Sequence, residues 1–260
     1  MEYQKLSETV KIKKVSETDN EGIFEIEGLY TGYGLTLGNT LRRALLSSLP
    51  GAAITQIKIK GVEHEFSTIP GVLEDVVEIA LNLKKVRFRF YAIEPQVLIL
   101  RIKGEKKISA GDITANAQVE VVNPDIHIAT LTSKSAELEM EITVEKGLGY
   151  VPAEARKTEK LPIKTIALDA IFTPVVKVNF NIENMRVGDR TDYNKLRLFI
   201  ETDGSVSPSS VLHKTCNILK DHFEKISSIE VKEIEPKEAK PAVKAVKEKK
   251  TKVVKEKKKK

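Results

Sequence analysis

The side chains best suited to catalysis or metal binding are few in this 260-residue chain, and they are far apart. Cys216 is the only cysteine, which leaves no thiolate cluster for zinc and no internal disulfide. Its place in a predicted helix indicates a small buried apolar side chain. The four histidines are His64, His127, His213 and His222. None has a second histidine three or four residues away or a neighbouring cysteine, so we expect neither a metal nor a cofactor in this chain.

Two pairs of neighbouring polar residues could take part in acid–base chemistry. The pair His64-Glu65 has no obvious third member to orient it. The pair Glu74-Asp75 lies where the start of a predicted helix favours negative charge, which is a structural role. No glycine-rich phosphate-binding loop is present in the sequence. We therefore expect no catalytic residue in this chain.

Binding chemistry is better represented, in the stretch from Leu35 to Pro50. At about 100° per residue, the apolar side chains of this predicted helix cover roughly 200° of its circumference, about twice what a surface helix needs. Arg42 lies inside this apolar arc and Arg43 lies just beyond it. Such a helix can pack between its own domain and a second protein, with the arginines fixing how the partner docks. The alternative is a core helix whose arginines extend to water.

The sequence predicts mixed α and β structure around this helix. Thr36 or Asn39 can cap the start of the helix, and Pro50-Gly51 can end it. Between residues 138 and 144 apolar and polar residues alternate, as in a strand with one buried face. Strands are predicted over six runs: Ile54–Ile59, Val97–Lys103, Val119–Val122, Leu138–Val144, Val175–Ile182 and Leu196–Thr202.

Two further helices are predicted. One covers about Gly71 to Lys84 behind an acidic first turn, and the other begins with Pro208 at its first position. The helix that begins at Pro208 has a wide seam of mostly apolar residues along one side, which can pack on the chain's own sheet. The seam consists of Val211, Thr215, Ile218, Leu219, His222, Phe223 and Ile226.

Five segments of the chain resemble the alpha subunits of bacterial and plastid RNA polymerase. These segments are Leu37–Ser48, Gly61–Thr68, Gly147–Ala153, Asp169–Val175 and Arg186–Tyr193. The first resembles the first dimer helix of that family. Because all five occur in the family's order and at family-like spacing over most of residues 1–230, the chain is identified as a member of the family.

The resemblance implies an α+β fold with two domains and a homodimer. Residues 1–48 and 170–230 would form a discontinuous dimerisation domain, and residues 49–169 an inserted, mostly β domain. The first helix and the helix after Pro208 would then be the two dimer helices. The implied dimer contacts are Leu41, Leu45, Leu49, Val211, Thr215, Ile218, Leu219 and His222.

The family's function is to seed assembly of DNA-directed RNA polymerase, a nucleotidyltransferase, by holding its beta and beta-prime subunits. The catalytic aspartates and the magnesium ion of the family's enzyme belong to a different subunit, which agrees with the expectation of no catalytic residue here. The implied contacts with beta or beta-prime are Gly38, Asn39, Arg42, Arg43, Leu46 and Ser47.

Charge sets the end of the chain apart. Residues 232–260 hold thirteen lysines and five glutamates, a balance of +8 within a net charge of +6. We predict that residues 231–260 are disordered, because they offer little apolar surface to bury. The 29 residues after Val231 are also too few and too polar for the family's C-terminal DNA-binding domain, which we do not expect here.

The lysines suit either non-specific contact with DNA or simple solvation. An alternative function follows, that of a stand-alone dimeric nucleic-acid-binding protein acting through its basic tail. No apolar run approaches the ~18 residues of a membrane span, and the first residues lack the pattern of a signal peptide. We therefore expect a cytoplasmic protein without membrane contact, from a bacterium, with a plastid as the alternative.

Overall fold

The computed structural model describes residues 8–114, 116–156 and 164–229, and within them the chain has the predicted α+β fold. The helices are α1 (Tyr33–Ser47), α2 (Val76–Leu83), α3 (Ala153–Arg156) and α4 (Pro208–Ser227). The strands are β1 (Lys11–Glu17), β2 (Glu21–Leu29), β3 (Pro50–Ile59), β4 (Phe88–Phe90), β5 (Gln96–Lys103), β6 (Lys106–Ser109), β7 (Val119–Val121), β8 (His127–Leu131), β9 (Glu137–Leu148), β10 (Tyr150–Val151), β11 (Ile166–Ala167), β12 (Ala170–Ile171), β13 (Val175–Val187) and β14 (Arg190–Thr202). All six predicted strands and all three predicted helices are present.

The chain divides into two compact units, Met1–His222 and Phe223–Lys260. The second unit is described only over residues 223–229. There Phe223 and Ile226 are each 60% exposed, and the backbone N–H of Ile229 donates to the carbonyl of Ile226. The predicted disordered tail, residues 231–260, lies outside the described residues.

A four-stranded antiparallel sheet with strand order β1-β2-β14-β13 carries α1. The inner side of α1 contributes Leu41 and Leu45 to a buried core that also contains Leu49, just after the helix, and Leu196 of β14. Val211 of α4 belongs to the same core. The inner half of the apolar arc therefore packs against the chain's own sheet.

A second antiparallel sheet has the strand order β11-β3-β9-β5, and α2 packs into the core beside it. The four apolar residues from Leu138 to Val144 are each at most 1% exposed, which confirms the predicted alternation along β9. Asp75 caps α2 by accepting the backbone N–H of Glu78 at 2.7 Å. This contact confirms the structural role predicted for the acidic residue.

The buried apolar residues separate into two main cores by their position in the chain. The first core draws on residues 24–49 and 175–211, and the second on residues 54–168. A small third cluster of Ala53, Ala170 and Phe172 lies where the chain passes from one core to the other. The predicted domain limits, 1–48 and 170–230 around 49–169, stay a prediction.

The predicted ends of two helices are wrong. Neither Thr36 nor Asn39 caps α1, because Gly32 adopts a left-handed φ of 85° and the helix begins at Tyr33. It ends at Ser47, and Pro50 already belongs to β3.

Helix α2 begins at Val76 rather than Gly71, because Val72 forms a β-bridge with Leu131. Cys216, predicted to be buried, is exposed. It lies next to Thr215, which faces the core with no exposed surface, so the cysteine points away from the sheet.

Candidate functional site

The exposed side of α1 carries most of the residues predicted to bind a partner. Five of the six are exposed: Asn39, Arg42, Arg43, Leu46 and Ser47. The sixth, Gly38, is buried. The chain's own sheet therefore already covers Gly38, which was predicted to contact a partner.

The exposed residues of α1 form a continuous stripe. Leu35, Asn39, Arg42 and Leu46 follow one another at intervals of three or four residues, so they share one side of the helix. The stripe is about 16 Å long at the rise of an α-helix. Leu35 is 57% exposed at one end and Leu46 is 36% exposed at the other. Two apolar side chains thus flank a polar, cationic centre.

Arg42 at this centre and Arg43 beside it are both available to a partner. Within the described part of the chain, neither Arg42 nor Arg43 forms an ion pair. The carbonyl of Arg43 accepts the hydroxyl of Ser47 at 2.8 Å, which occupies the Ser47 side chain within the helix. A cleft of about 630 Å³ borders Arg42 and is lined on the sheet side by residues that include Asn179 and Phe199. These guanidinium groups can bind a carboxylate or a row of backbone carbonyls on a partner.

The residues predicted to form the dimer contact divide into two groups. Five are at most 3% exposed within the single chain: Leu41, Leu45, Leu49, Val211 and Thr215. These side chains have no surface left for a second copy, so any role they have in a dimer is indirect, through the helices that they anchor. Ile218 and Leu219 are partly buried beside the same core, and His222 is exposed. Of the eight predicted dimer contacts, only these three can touch a second copy of the chain directly.

The candidate acid–base residues occupy separate places. His64 Nδ1 lies 3.2 Å from the Ser67 hydroxyl in an exposed loop. Glu74 is buried and accepts the Thr130 N–H at 2.6 Å, with His127 Nε2 2.8 Å from its other oxygen. Burial raises the pKa of Glu74, but the hydrogen bonds from His127 and Thr130 outweigh it and lower this pKa overall. The Glu74 cluster ties the start of α2 to β8, which is a structural role.

A polar contact that no sequence pattern indicates holds the start of α1. Asn194 Oδ1 accepts the backbone N–H of Gly32 at 2.9 Å, although 162 residues separate the two. The Thr31 hydroxyl lies 2.7 Å from the Asp192 carbonyl and 2.7 Å from its carboxylate. Both acceptors belong to β14, so the sheet supplies the cap that the helix lacks.

The described residues offer neither a metal site nor a membrane-spanning helix. They contain no group of three histidine, cysteine, aspartate or glutamate side chains placed to hold a metal ion. Their helices include none that is long and apolar enough to cross a membrane.

Comparison with known proteins decides the family. The "DNA-directed RNA polymerase subunit alpha" of Symbiobacterium thermophilum is 51% identical over 232 residues, which cover 88% of this chain and 73% of that protein. The chain belongs to the alpha-subunit family of DNA-directed RNA polymerase. The alpha subunit of Alkaliphilus oremlandii is 51% identical over 82% of this chain, and that of Roseiflexus castenholzii is 52% identical over 84%. Residues 57–173 also match the RNA polymerase Rpb3/RpoA insert domain.

Membership of the alpha-subunit family makes the chain a subunit of a nucleotidyltransferase complex that acts in transcription. It also favours that role over the alternative of a stand-alone nucleic-acid-binding protein.

Proposed function

We propose that this alpha subunit forms a homodimer that nucleates polymerase assembly by holding the beta and beta-prime subunits, and that it contributes no catalytic residue or cofactor of its own. One observation carries the proposal. Five predicted contact residues, from Asn39 to Ser47, lie together on the exposed side of α1, while the opposite side is fixed in a core. A rigid helix with a free, cationic outer face is suited to docking another protein.

The proposed dimer uses the outer part of the α4 seam. Ile218 and Leu219 are partly buried in the single chain, and His222 is exposed. Two copies related by a two-fold axis would bring the same residues together from both chains. The two α1 faces of such a dimer would then meet different large subunits, beta on one protomer and beta-prime on the other.

Two further parts of the proposal rest on composition and on the relatives. Because residues 232–260 carry a balance of +8, we propose that they contact DNA without sequence preference. We place the protein in the bacterial cytoplasm, since the relatives are bacterial polymerase subunits.

Co-purification tests the proposed function. The chain carries an affinity tag and is expressed with the beta and beta-prime subunits of the same organism. We expect both large subunits to elute with two copies of the chain, as measured by mass photometry. Elution of the chain alone, or as a monomer with one large subunit, would contradict the scaffold function.

A further inference from the structure

The first two turns of α1 have little apolar anchoring. Tyr33 is 44% exposed and Leu35 is 57% exposed. Gly34 and Gly38 face the sheet but have no side chain to bury. Leu37 packs against the core but is only partly buried, and the fully buried leucines begin at Leu41, so hydrophobic packing holds the second half of the helix more firmly than the first.

Polar contacts from β14 hold the start of α1 in place. The cap residue Gly32 offers no side chain, and its backbone N–H donates instead to Asn194 Oδ1 at 2.9 Å. Asn194 is only 8% exposed, and its amide donates to Asn184 Oδ1 at 3.4 Å, which fixes the orientation of the amide group. The Thr31 hydroxyl is held by Asp192. An acceptor at this position satisfies a backbone donor that is otherwise unpaired at a helix start.

A second layer holds Asp192 itself. Arg190 binds the Asp192 carboxylate through two bonds, at 3.0 and 2.6 Å. The guanidinium lies 5.1 Å from the ring centre of Tyr30 and 5.6 Å from that of Tyr193. The Arg190 bonds, followed by the Thr31 hydroxyl, hold the pKa of Asp192 at about 2. The carboxylate is therefore ionised throughout the neutral range.

We infer that Arg190, Asp192 and Asn194 form a clamp that positions the start of α1 and thereby the Leu35 and Asn39 end of the docking stripe. The inference rests on the proposed function, since it names the residues that orient the proposed docking helix. Leu41 and Leu45 hold the half of α1 that carries Arg42, so a tilt at the helix start displaces the other end of the docking stripe, at Leu35 and Asn39. All three residues lie on β14, and in this proposal they act on the stripe through α1.

Asn194→Ala tests the clamp, with Asn194→Asp as the matched control. The alanine removes the acceptor for the Gly32 N–H, whereas the aspartate keeps that acceptor, loses the donor to Asn184 Oδ1 and adds a charge that a helix start favours. Hydrogen exchange is followed at the amides of residues 32–37 and at β9 as an internal reference. In the same samples, light scattering reports the dimer and a titration of purified beta subunit reports affinity.

We expect Asn194→Ala to speed exchange in residues 32–37 about tenfold and to weaken beta binding about tenfold, with β9 exchange and dimer mass unchanged. Asn194→Asp should keep the exchange rate of residues 32–37 and the beta affinity close to those of the parent. Unchanged exchange in residues 32–37 would overturn the clamp. So would faster exchange with undiminished beta binding, provided that Arg43→Ala weakens binding in the same assay.

If Arg43→Ala leaves beta binding unchanged, the proposed docking site fails, and the exchange measurement alone decides whether the clamp exists. Should Asn194→Ala not fold, Thr31→Val replaces it, because valine keeps the shape of threonine and removes the hydroxyl. Faster exchange at the start of α1 would then support the clamp, and native exchange would overturn it.

Discussion

The backbone of Gly38 lies directly against the ring of Phe180, in the contact between α1 and β13. A Cβ atom on Gly38 would come within 2.8 Å of Phe180 Cδ2 and within 3.1 Å of Leu196 Cδ1. Glycine in the middle of a helix costs about 1 kcal/mol relative to alanine. Its presence here is explained by the close approach of helix and sheet, which sets the height of the docking face above the sheet.

Gly38→Ala should destabilise the protein in spite of the better helix propensity of alanine. The propensity gain is about 1 kcal/mol, whereas overpacking costs about 1–3 kcal/mol. We expect a net loss in the free energy of unfolding, measured by urea denaturation. The double variant Gly38→Ala/Phe180→Leu should recover part of the loss, since leucine leaves room for the new methyl group. A single variant as stable as the parent would contradict this account of the contact.

Arg43→Ala should weaken beta binding while the dimer stays intact. A desolvated arginine anchor contributes about 2–5 kcal/mol when its partner group is left unpaired. Titration of purified beta subunit measures the loss, and size-exclusion chromatography with light scattering checks the dimer. Lys107→Ala, which removes an exposed cation from β6, is the matched control. Equal affinity of the Arg43 variant and the control would exclude Arg43 from the docking site.

Leu45→Asp and Leu219→Asp should fail in different ways. Leu45 is fully buried, so aspartate there places an unpaired charge in the core and costs about 3–5 kcal/mol. We expect loss of the folded chain by circular dichroism. Leu219 is only partly buried at the edge of that core, so its variant should keep its secondary structure and elute as a monomer. A folded dimer of the Leu219 variant would remove α4 from the proposed interface.

Local patterns predicted the fold well, and long-range contacts account for what they missed. The alternation along β9 has a period of two residues and can be seen within one strand, so the buried face from Leu138 to Val144 was predictable. The arc of α1 was also visible, but one helix cannot show whether a sheet or a partner covers it. Leu41 and Leu45 therefore suited a dimer contact in the sequence and lie in the chain's own core in the structure.

The same limit applies to the start of α1. Thr36 satisfied the local rule for a helix cap, whereas the actual acceptor is Asn194, on a strand that pairs with β2 far along the chain. The segment Arg186–Tyr193 resembles the family in sequence. Its physical role at α1 depends on the register of β14 against its neighbours, which no local pattern contains.

Removal of residues 232–260 should abolish DNA binding and leave the dimer unchanged. Thirteen lysines neutralise phosphates by counterion release, so the affinity of the full chain should fall steeply with salt. Salt-titrated binding of both chains to a promoter duplex and to a scrambled duplex is the measurement. Equal affinity after truncation, or a strong preference for the promoter, would reveal a DNA-binding surface in residues 1–231.

Glu17 should stabilise the protein in a pH-dependent way, because it caps α4 from β1. Its carboxylate accepts the backbone N–H of Ser209 at 2.8 Å and binds Lys14 Nζ at 2.8 Å. The hydrogen bond from Lys14, followed by those from Ser209, lowers the pKa of Glu17 from 4.5 to about 2. The folded state thus prefers the ionised form. The stabilisation is complete above the unfolded value near pH 4.5 and is lost as the pH falls through about 2.

Glu17→Gln should therefore lower the free energy of unfolding by about 1 kcal/mol at neutral pH, as expected for a lost helix cap. The difference from the parent should shrink steadily below pH 4.5 and vanish near pH 2. Urea denaturation at several pH values measures it, with Glu21→Gln, an exposed residue of the same hairpin, as the control. A difference that does not change with pH would show that the charge of Glu17 has no part in capping α4.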